Sequence, residues 1–400
     1  MSETSVEIRQ VRGEEMLTTS MLLGRYAFTP SPRKPDLEGW RERLPLREEH
    51  HTLVLFADGE PRATAASIAM SQAVRGRVVS MGGVAGVSTH PLGRRQGYAR
   101  QVLTRLLADM RQQGHVVSSL VPFRESFYGR LGWAGFPVTR VIKFAPGNLQ
   151  PLLRWDLPGE TTLHEDEAGW NASQAFLKGI QPGMHGMSLF GPVSTKGQFE
   201  GEKRWVVLAR DGDEVVGTMH YTISDWRGEL DVDTFFASTA AGGYLLLRWL
   251  ALHADQVVSV TVTLPPDVMP EMWVTDMNVE VHTRDINNHP KPMGRIVDIE
   301  RLEGVGAGDG EFSVTVEDPF GPWNNGTYAF RGSGGVLHVE RSEAATTGGT
   351  VSIAGLSSLL FNGDDPATFA YRGWGSFDDA TADGMRAVFP RVWPYLHEDF

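Results

Sequence analysis

Val84-Ala-Gly-Val-Ser-Thr-His-Pro-Leu-Gly-Arg-Arg-Gln-Gly-Tyr-Ala99 is the stretch on which the reading of this chain turns. Arg77 to Thr89 is strand-rich, Pro91 stops it, and Leu92 to Gln96 form a loop. Ala99, Val102, Leu103, Leu106, Leu107 and Met110 then recur at helical spacing, and Gly114 supplies a natural stop. A strand running into a basic, glycine-containing turn that opens a helix leaves the first-turn N–H groups unpaired, here those of Gln96 to Arg100. Added to the positive end of the helix dipole, these amides form an anion site. Gly97 permits close approach of a ligand, Ala99 keeps the space open, and Arg94 and Arg95 add fork-shaped donors suited to phosphate. The competing reading is a basic N-terminal turn on a surface helix, and the surrounding strand–helix–strand pattern favours the anion site.

Working outward, Thr52–Phe56, the turn Asp58-Gly59 and Arg62–Met70 read as a hairpin. Val116–Val121 is a further strand, and Arg124–Leu131 is a short helix ending at Gly132. The hairpin is repeated, because Val54-Leu-Phe-Ala-Asp-Gly-Glu resembles Val207-Leu-Ala-Arg-Asp-Gly-Asp. A strand over Leu230–Phe236, an apolar helix over Gly243–Leu252 and a strand over Val257–Leu264 complete a second copy. Where the first copy has its basic loop, the second has Ala237-Ser-Thr-Ala-Ala-Gly-Gly243, so only the first is expected to be active. Beyond Pro290, strands at Ile296–Ile299, Phe312–Val316, Tyr328–Phe330 and Val336–Val339 and helices at Leu356–Phe361 and Ala380–Phe389 suggest a small α+β domain.

The 400 residues suggest roughly two to three domains. A hydrophobic fraction of 41% and a charged fraction of 22% argue against disorder and coiled coil. The net charge of −12 disfavours nonspecific nucleic-acid or anionic-membrane binding and favours a cationic partner. With no cysteine, thiol catalysis, disulfides and thiolate-held metals are excluded. No histidine spacing suggests a metal site, and neither a Ser-hydrolase elbow nor a Walker loop is present. The polar, acidic start lacks a signal peptide and no apolar run is long enough to span a bilayer, so a cytoplasmic location is expected.

Arg94-Arg-Gln-Gly-Tyr-Ala99 resembles the acyl-CoA pyrophosphate loop of the GNAT superfamily, Arg/Gln-x-x-Gly-x-Gly/Ala. Together with Val87–Arg100, Phe127-Tyr-Gly-Arg-Leu-Gly-Trp133, Ala27-Phe-Thr29, Gly39-Trp-Arg41 and the end Glu398-Asp-Phe400, the whole chain resembles the enhanced-intracellular-survival (Eis) acetyltransferases. That resemblance implies a catalytic acetyltransferase domain at 1–150, a degenerate second one at 151–290, and a sterol-carrier-like α+β domain at 291–400 whose tail enters the active site. Each acetyltransferase fold would be a central mixed sheet flanked by helices. It also implies acetyl-CoA as co-substrate, no metal, and a homohexamer.

By the same resemblance, backbone groups of Val87, Ser88 and Thr89 pair with the pantetheine arm and one amide polarises the thioester carbonyl. Arg94, Arg95, Gln96, Gly97, Tyr98, Ala99 and Arg100 surround the pyrophosphate, and Phe123 and Arg124 touch the cofactor. Tyr128 is the implied proton donor to the departing thiolate, its hydroxyl protonated at neutral pH. The implied proton acceptor is the C-terminal carboxylate of Phe400, with His90, Glu125, His397, Glu398 and Asp399 as alternatives. Phe28 and Trp40 match aromatic positions that line the acceptor pocket, and Asp399 adds to an acidic wall that attracts an ammonium group. The expected activity is N-acetylation of cationic acceptors, of aminoglycoside type or protein lysine, at one or several positions. The alternative is a protein that binds an apolar ligand in its C-terminal domain, which requires an apolar tunnel between residues 290 and 400.

Overall fold

The computed structural model describes residues 5–29, 34–47, 49–201, 203–283, 290–342, 347–398 and 400. The repeat read from the sequence is present in three dimensions. In the first unit, strands His50–Ala57, Glu60–Val74 and Arg77–Thr89 run antiparallel, helix Tyr98–Gln112 follows, and strand Val117–Leu120 returns parallel to Arg77–Thr89. The second repeats this with Trp205–Asp211, Glu214–Ile223, Glu229–Ala237, helix Ala240–Ala251 and strand Ser259–Leu264. Helix Tyr98–Gln112 buries Val102, Leu103, Leu106, Leu107 and Met110, the face its spacing predicts.

The two hairpins turn differently. Asp58 (φ 52°) and Gly59 (φ 79°) are both left-handed, as a type I′ turn requires. In the second copy the ladder closes at Asp211↔Glu214, so the turn is Gly212-Asp213, one position later than the matched motif implies.

Two strands cross the bounds expected from the sequence. Arg140–Phe144 pairs with Ser259–Leu264 in the second sheet, and Met293–Ile296 pairs with Val117–Leu120 in the first. The first sheet thus runs Val6–Gln10, His50–Ala57, Glu60–Val74, Arg77–Thr89, Val117–Leu120, Met293–Ile296, Ala134–Gly135, with Ser188–Phe190 against the far half of Glu60–Val74. Short apolar runs carry no information about which sheet they join; pairing between distant segments decides it. The strand read at Ile296–Ile299 therefore ends at Ile296 and lies outside the C-terminal sheet.

The C-terminal domain is a five-stranded sheet, Val336–Ser342, Gly326–Ser333, Gly310–Glu317, Gly349–Ser352, Gly375–Phe377, packed by helices Ile353–Asn362 and Asp379–Val388. Aromatic rings pack between sheet and helices, beside a cavity of about 560 Å³ lined in part by Phe312, Phe330 and Thr381. Phe312 and Phe330 stack at 4.9 Å between ring centroids, and Phe389 closes on both at 6.0 and 6.3 Å. All ten residues of Ile353–Asn362 are buried, because this helix is packed by the first unit as well as by its own sheet.

Two arginines fasten this domain to the first unit. Arg295 and Asp318, both with side chains 0% exposed, pair at 2.7 Å, and Arg295 also donates to the Leu131 carbonyl at 2.8 Å. Arg75, at the tip of the Glu60–Val74/Arg77–Thr89 hairpin, donates to the carbonyls of Leu359, Leu360 and Pro390. It thereby satisfies last-turn acceptors at the negative end of helix Ile353–Asn362. Burial pulls its pKa down to about 10. No helix among the described residues is long and apolar enough to cross a membrane.

Candidate active site

The site begins where two strands part. Parallel pairing between Arg77–Thr89 and Val117–Leu120 ends at Gly83↔Ser119. From there to Thr89 the first strand stays paired only on its other edge, to Glu60–Val74, through a bulge at Gly86 and Val87 that Gly86 accommodates with φ 61°. One edge of residues 84–89 therefore offers backbone groups to a ligand entering between the strands. Val87, Ser88 and Thr89 lie on this edge. Ser88 is buried and its hydroxyl has no partner in the protein.

The strand leads into the basic turn. Arg95 (φ 62°) and Gly97 (φ 78°) are both left-handed, and Gly97 is the residue before the helix with no side chain capping it. Among the described residues, no acceptor takes the N–H of Gln96, Gly97, Tyr98, Ala99 or Arg100. These donors converge at the positive end of a fifteen-residue helix, and such an arrangement holds anions. Arg94, Arg95 and Arg100 are exposed around it, and the Arg94 guanidinium rests 5.9 Å from the Tyr26 ring. Gln96 folds back onto the Leu92 carbonyl at 3.0 Å. Tyr98 differs from its neighbours: its ring is buried in the helix-side core, so its contribution to a ligand is its N–H alone.

Tyr128 sits in helix Glu125–Gly129 and belongs to the same apolar cluster as Val84 and Leu120, which flank the gap. Phe127 and Trp133 meet its ring edge-on at 5.0 and 6.1 Å. Burial raises its hydroxyl above the ordinary tyrosine range, keeping the proton on. Phe123, 65% exposed, lies 5.5 Å from the same ring, and Arg124 is exposed beside it.

The chain end reaches the opposite face of the sheet. Alternation turns Gly82 toward Met110 of the helix and Gly83 the other way, where a Cβ would lie 2.8 Å from the Phe400 ring. Phe190 meets that ring at 6.3 Å. The tail before it is anchored: Tyr395 donates to the His185 carbonyl at 2.9 Å, Leu396 is buried, and the Glu398 N–H donates to the Ser188 hydroxyl at 3.2 Å. The Glu398 carboxylate accepts from Gln198 at 2.8 Å. Asp399 lies outside the described residues.

Of the other candidate bases, His90 accepts from the Leu92 N–H and Glu125 pairs with Lys291 at 3.2 Å. His397 lies in the tail with its Nδ1 buried and without a hydrogen-bond partner among the described residues, and burial with nearby Arg204 lowers its pKa to about 4. Phe28 is 66% exposed at the end of helix Ser20–Phe28, which packs on the cleft strands. Trp40 is half-buried in helix Leu37–Glu42. Neither ring touches Tyr128 or Phe400 among the described ring contacts.

Sequence reasoning missed what holds the tail. Phe190 meets the Phe400 ring, and Gln198, which donates to Glu398, lies on helix Pro192–Gly201, whose Val193 and Ser194 N–H groups donate to Glu49. One signal was available: Gly82-Gly83 in mid-strand marks a place where something approaches the backbone closely.

The second unit has the same gap with different contents. Its parallel pairing ends at Val232↔Val262. The Thr239 hydroxyl accepts from the Gly242 N–H at 3.1 Å, occupying the helix start from within. The cleft beyond is an apolar cavity of about 360 Å³ lined by Phe235, Phe236, Tyr244 and Trp273. Among the described residues no cluster of histidine and carboxylate side chains could hold a metal ion.

Comparison with known proteins agrees with this geometry. Residues 7–136 and 193–296 each match an acetyltransferase (GNAT) domain family, and residues 300–397 match a sterol carrier protein domain. No curated protein matches the sequence. Among solved structures, a GCN5-related N-acetyltransferase from Kribbella flavida aligns over 99% of both chains with a TM-score of 0.82 at 20% identity. Eis1 from Mycobacterium abscessus aligns over 99% of this chain and 100% of its own, with a TM-score of 0.78 at 20% identity. A probable N-acyltransferase from Enterococcus faecalis aligns over the whole of both chains, with a TM-score of 0.81 at 18% identity.

Proposed function

We propose that this chain, an N-acetyltransferase built of two GNAT domains and a C-terminal sterol carrier domain, uses its first unit to transfer acetyl from acetyl-CoA directly to an amine of a cationic acceptor. The observation that carries this reading is the opened strand edge at 84–89 leading into the unpaired amides of Gln96–Arg100. In this reading Val87, Ser88 and Thr89 hold the pantetheine arm, Arg94–Arg100 hold the pyrophosphate, and Phe123 and Arg124 flank it. The Tyr128 hydroxyl gives its proton to the departing thiolate. The Phe400 α-carboxylate takes the proton of the attacking ammonium. The two approach the gap from opposite faces of the sheet, so acid and base do not compete for one position.

The acceptor is an aminoglycoside-type or lysine amine, in keeping with the −12 charge. Phe28, Trp40 and Asp399 belong to its pocket in this proposal. The enzyme works as a homohexamer in the cytoplasm, where acetyl-CoA is drawn on.

Thiol release from acetyl-CoA, measured with a panel of aminoglycosides and a lysine peptide, tests the activity; no release with any amine would sink it. One glycine appended after Phe400 moves the carboxylate, and undiminished turnover in that variant would remove Phe400 as the base. Light scattering checks the hexamer.

A further inference from the structure

One sizeable cavity belongs to neither cleft. It holds about 630 Å³ between helix Glu125–Gly129 with the turn after it and the C-terminal domain. That is the size range of small-molecule sites. No residue of the basic turn lines it, nor do Phe123, Arg124 or Phe400.

Its walls carry a distinct chemistry. Two guanidinium groups lie over indole rings, Arg391 at 4.8 Å from Trp393 and Arg372 at 4.6 Å from Trp374. Stacking fixes the plane of each group and leaves its in-plane N–H donors free. Arg372 is neutralised by Asp364 at 3.4 Å, and Lys291 by Glu125 at 3.2 Å. Arg391 has no carboxylate partner among the described residues, which leaves one net positive charge in the cleft. Two buried polar atoms of lining residues, Asn362 Oδ1 and Trp133 Nε1, also lack any hydrogen-bond partner. Buried polar atoms are rarely left so, and each such case asks for a ligand or water that completes it.

We infer that this cleft binds a small organic anion with a planar, apolar body. The anionic head, carboxylate or phosphate, pairs with Arg391. The body lies against Trp393 and Trp374. The inference does not depend on acetyl transfer. Glu125, Ser126 and Gly129 of its wall share a helix with Tyr128, the proton donor proposed above.

Calorimetry on the full chain with 2-naphthoate, its neutral isostere 2-naphthalenemethanol, and inorganic phosphate tests it. The acid is expected to bind below about 1 mM, with the alcohol and phosphate each at least about tenfold weaker. Arg391→Glu should weaken the acid at least about tenfold and Trp393→Ala measurably, while Arg95→Glu leaves it unchanged. Arg391 and Trp393 are exposed, so both variants should melt with the parent. No binding to the parent, equal binding to Arg391→Glu, loss in Arg95→Glu, or phosphate binding as tightly as the acid would each overturn the assignment.

Discussion

The first unit's cleft and the second unit's cleft share a strand order, a parallel pair that splits, and a helix starting at the mouth of the split. They differ at the helix start. In the first, Gly97 lets the chain turn without a capping side chain, so five N–H groups face outward among arginines. In the second, Thr239 caps the helix from its own sequence, and phenylalanine, tyrosine and tryptophan line the gap. The scaffold is therefore indifferent to the chemistry. A helix that starts at glycine is less stable than one capped by a hydroxyl by only about a few tenths of a kcal/mol, a small cost that the first unit carries where an anion can offset it.

The sharpest way to break the contrast is to exchange one hydroxyl in each cleft. Tyr128→Phe should lower kcat about 100- to 10,000-fold with little change in KM for acetyl-CoA, whereas Tyr244→Phe should leave both unchanged. Steady-state kinetics on both variants decide it, and equal losses would mean that both units work. Next in size, Arg94→Glu with Arg95→Glu should weaken acetyl-CoA binding by about 100-fold or more by calorimetry, since each guanidinium–phosphate bond is worth roughly 1.5–3 kcal/mol. The control, Ala240→Glu at the second helix start, should bind as the parent does.

Acid should treat the two units alike. His115 in the first has its pKa lowered to about 4, and His220 in the second to about 3, chiefly by burial. Both are neutral when folded, and the unfolded chain, with a pKa near 6.5, takes up protons first as pH falls. The stability they confer is thus fully present above about pH 6.5 and lost toward pH 4, at roughly 1.4 kcal/mol per pH unit per residue. Denaturant titrations at several pH values should show this slope, and His115→Gln and His220→Gln should each reduce it. Smallest of all, Thr239→Ala should cost about 1 kcal/mol of stability with no change in turnover, because it uncaps a helix that holds no ligand. A gain of acetyl-CoA binding in that variant would show that capping alone separates the clefts.

How much of this was legible differs from element to element. The hairpin 50–74, the helix from Tyr98 and the basic turn were readable because turn chemistry and helical periodicity are local. The splitting of the strands was not, since it depends on Gly83 and Ser119 meeting across a distance of sequence. The contacts of Phe190 and Gln198 with the tail were hidden for the same reason.

By itself the sequence determined the tandem repeat, the basic glycine-containing turn of the first copy and its loss in the second, because periodicity, glycine placement and charge act over a few residues. Only the tertiary structure decided that Arg140–Phe144 joins the second sheet and Met293–Ile296 the first, and that Arg75 and Arg295 fasten the C-terminal domain to the first unit. It alone set the Phe400 ring against Gly83. These are long-range pairings among segments of similar composition, and which pair forms depends on packing and buried hydrogen bonding that no local pattern encodes.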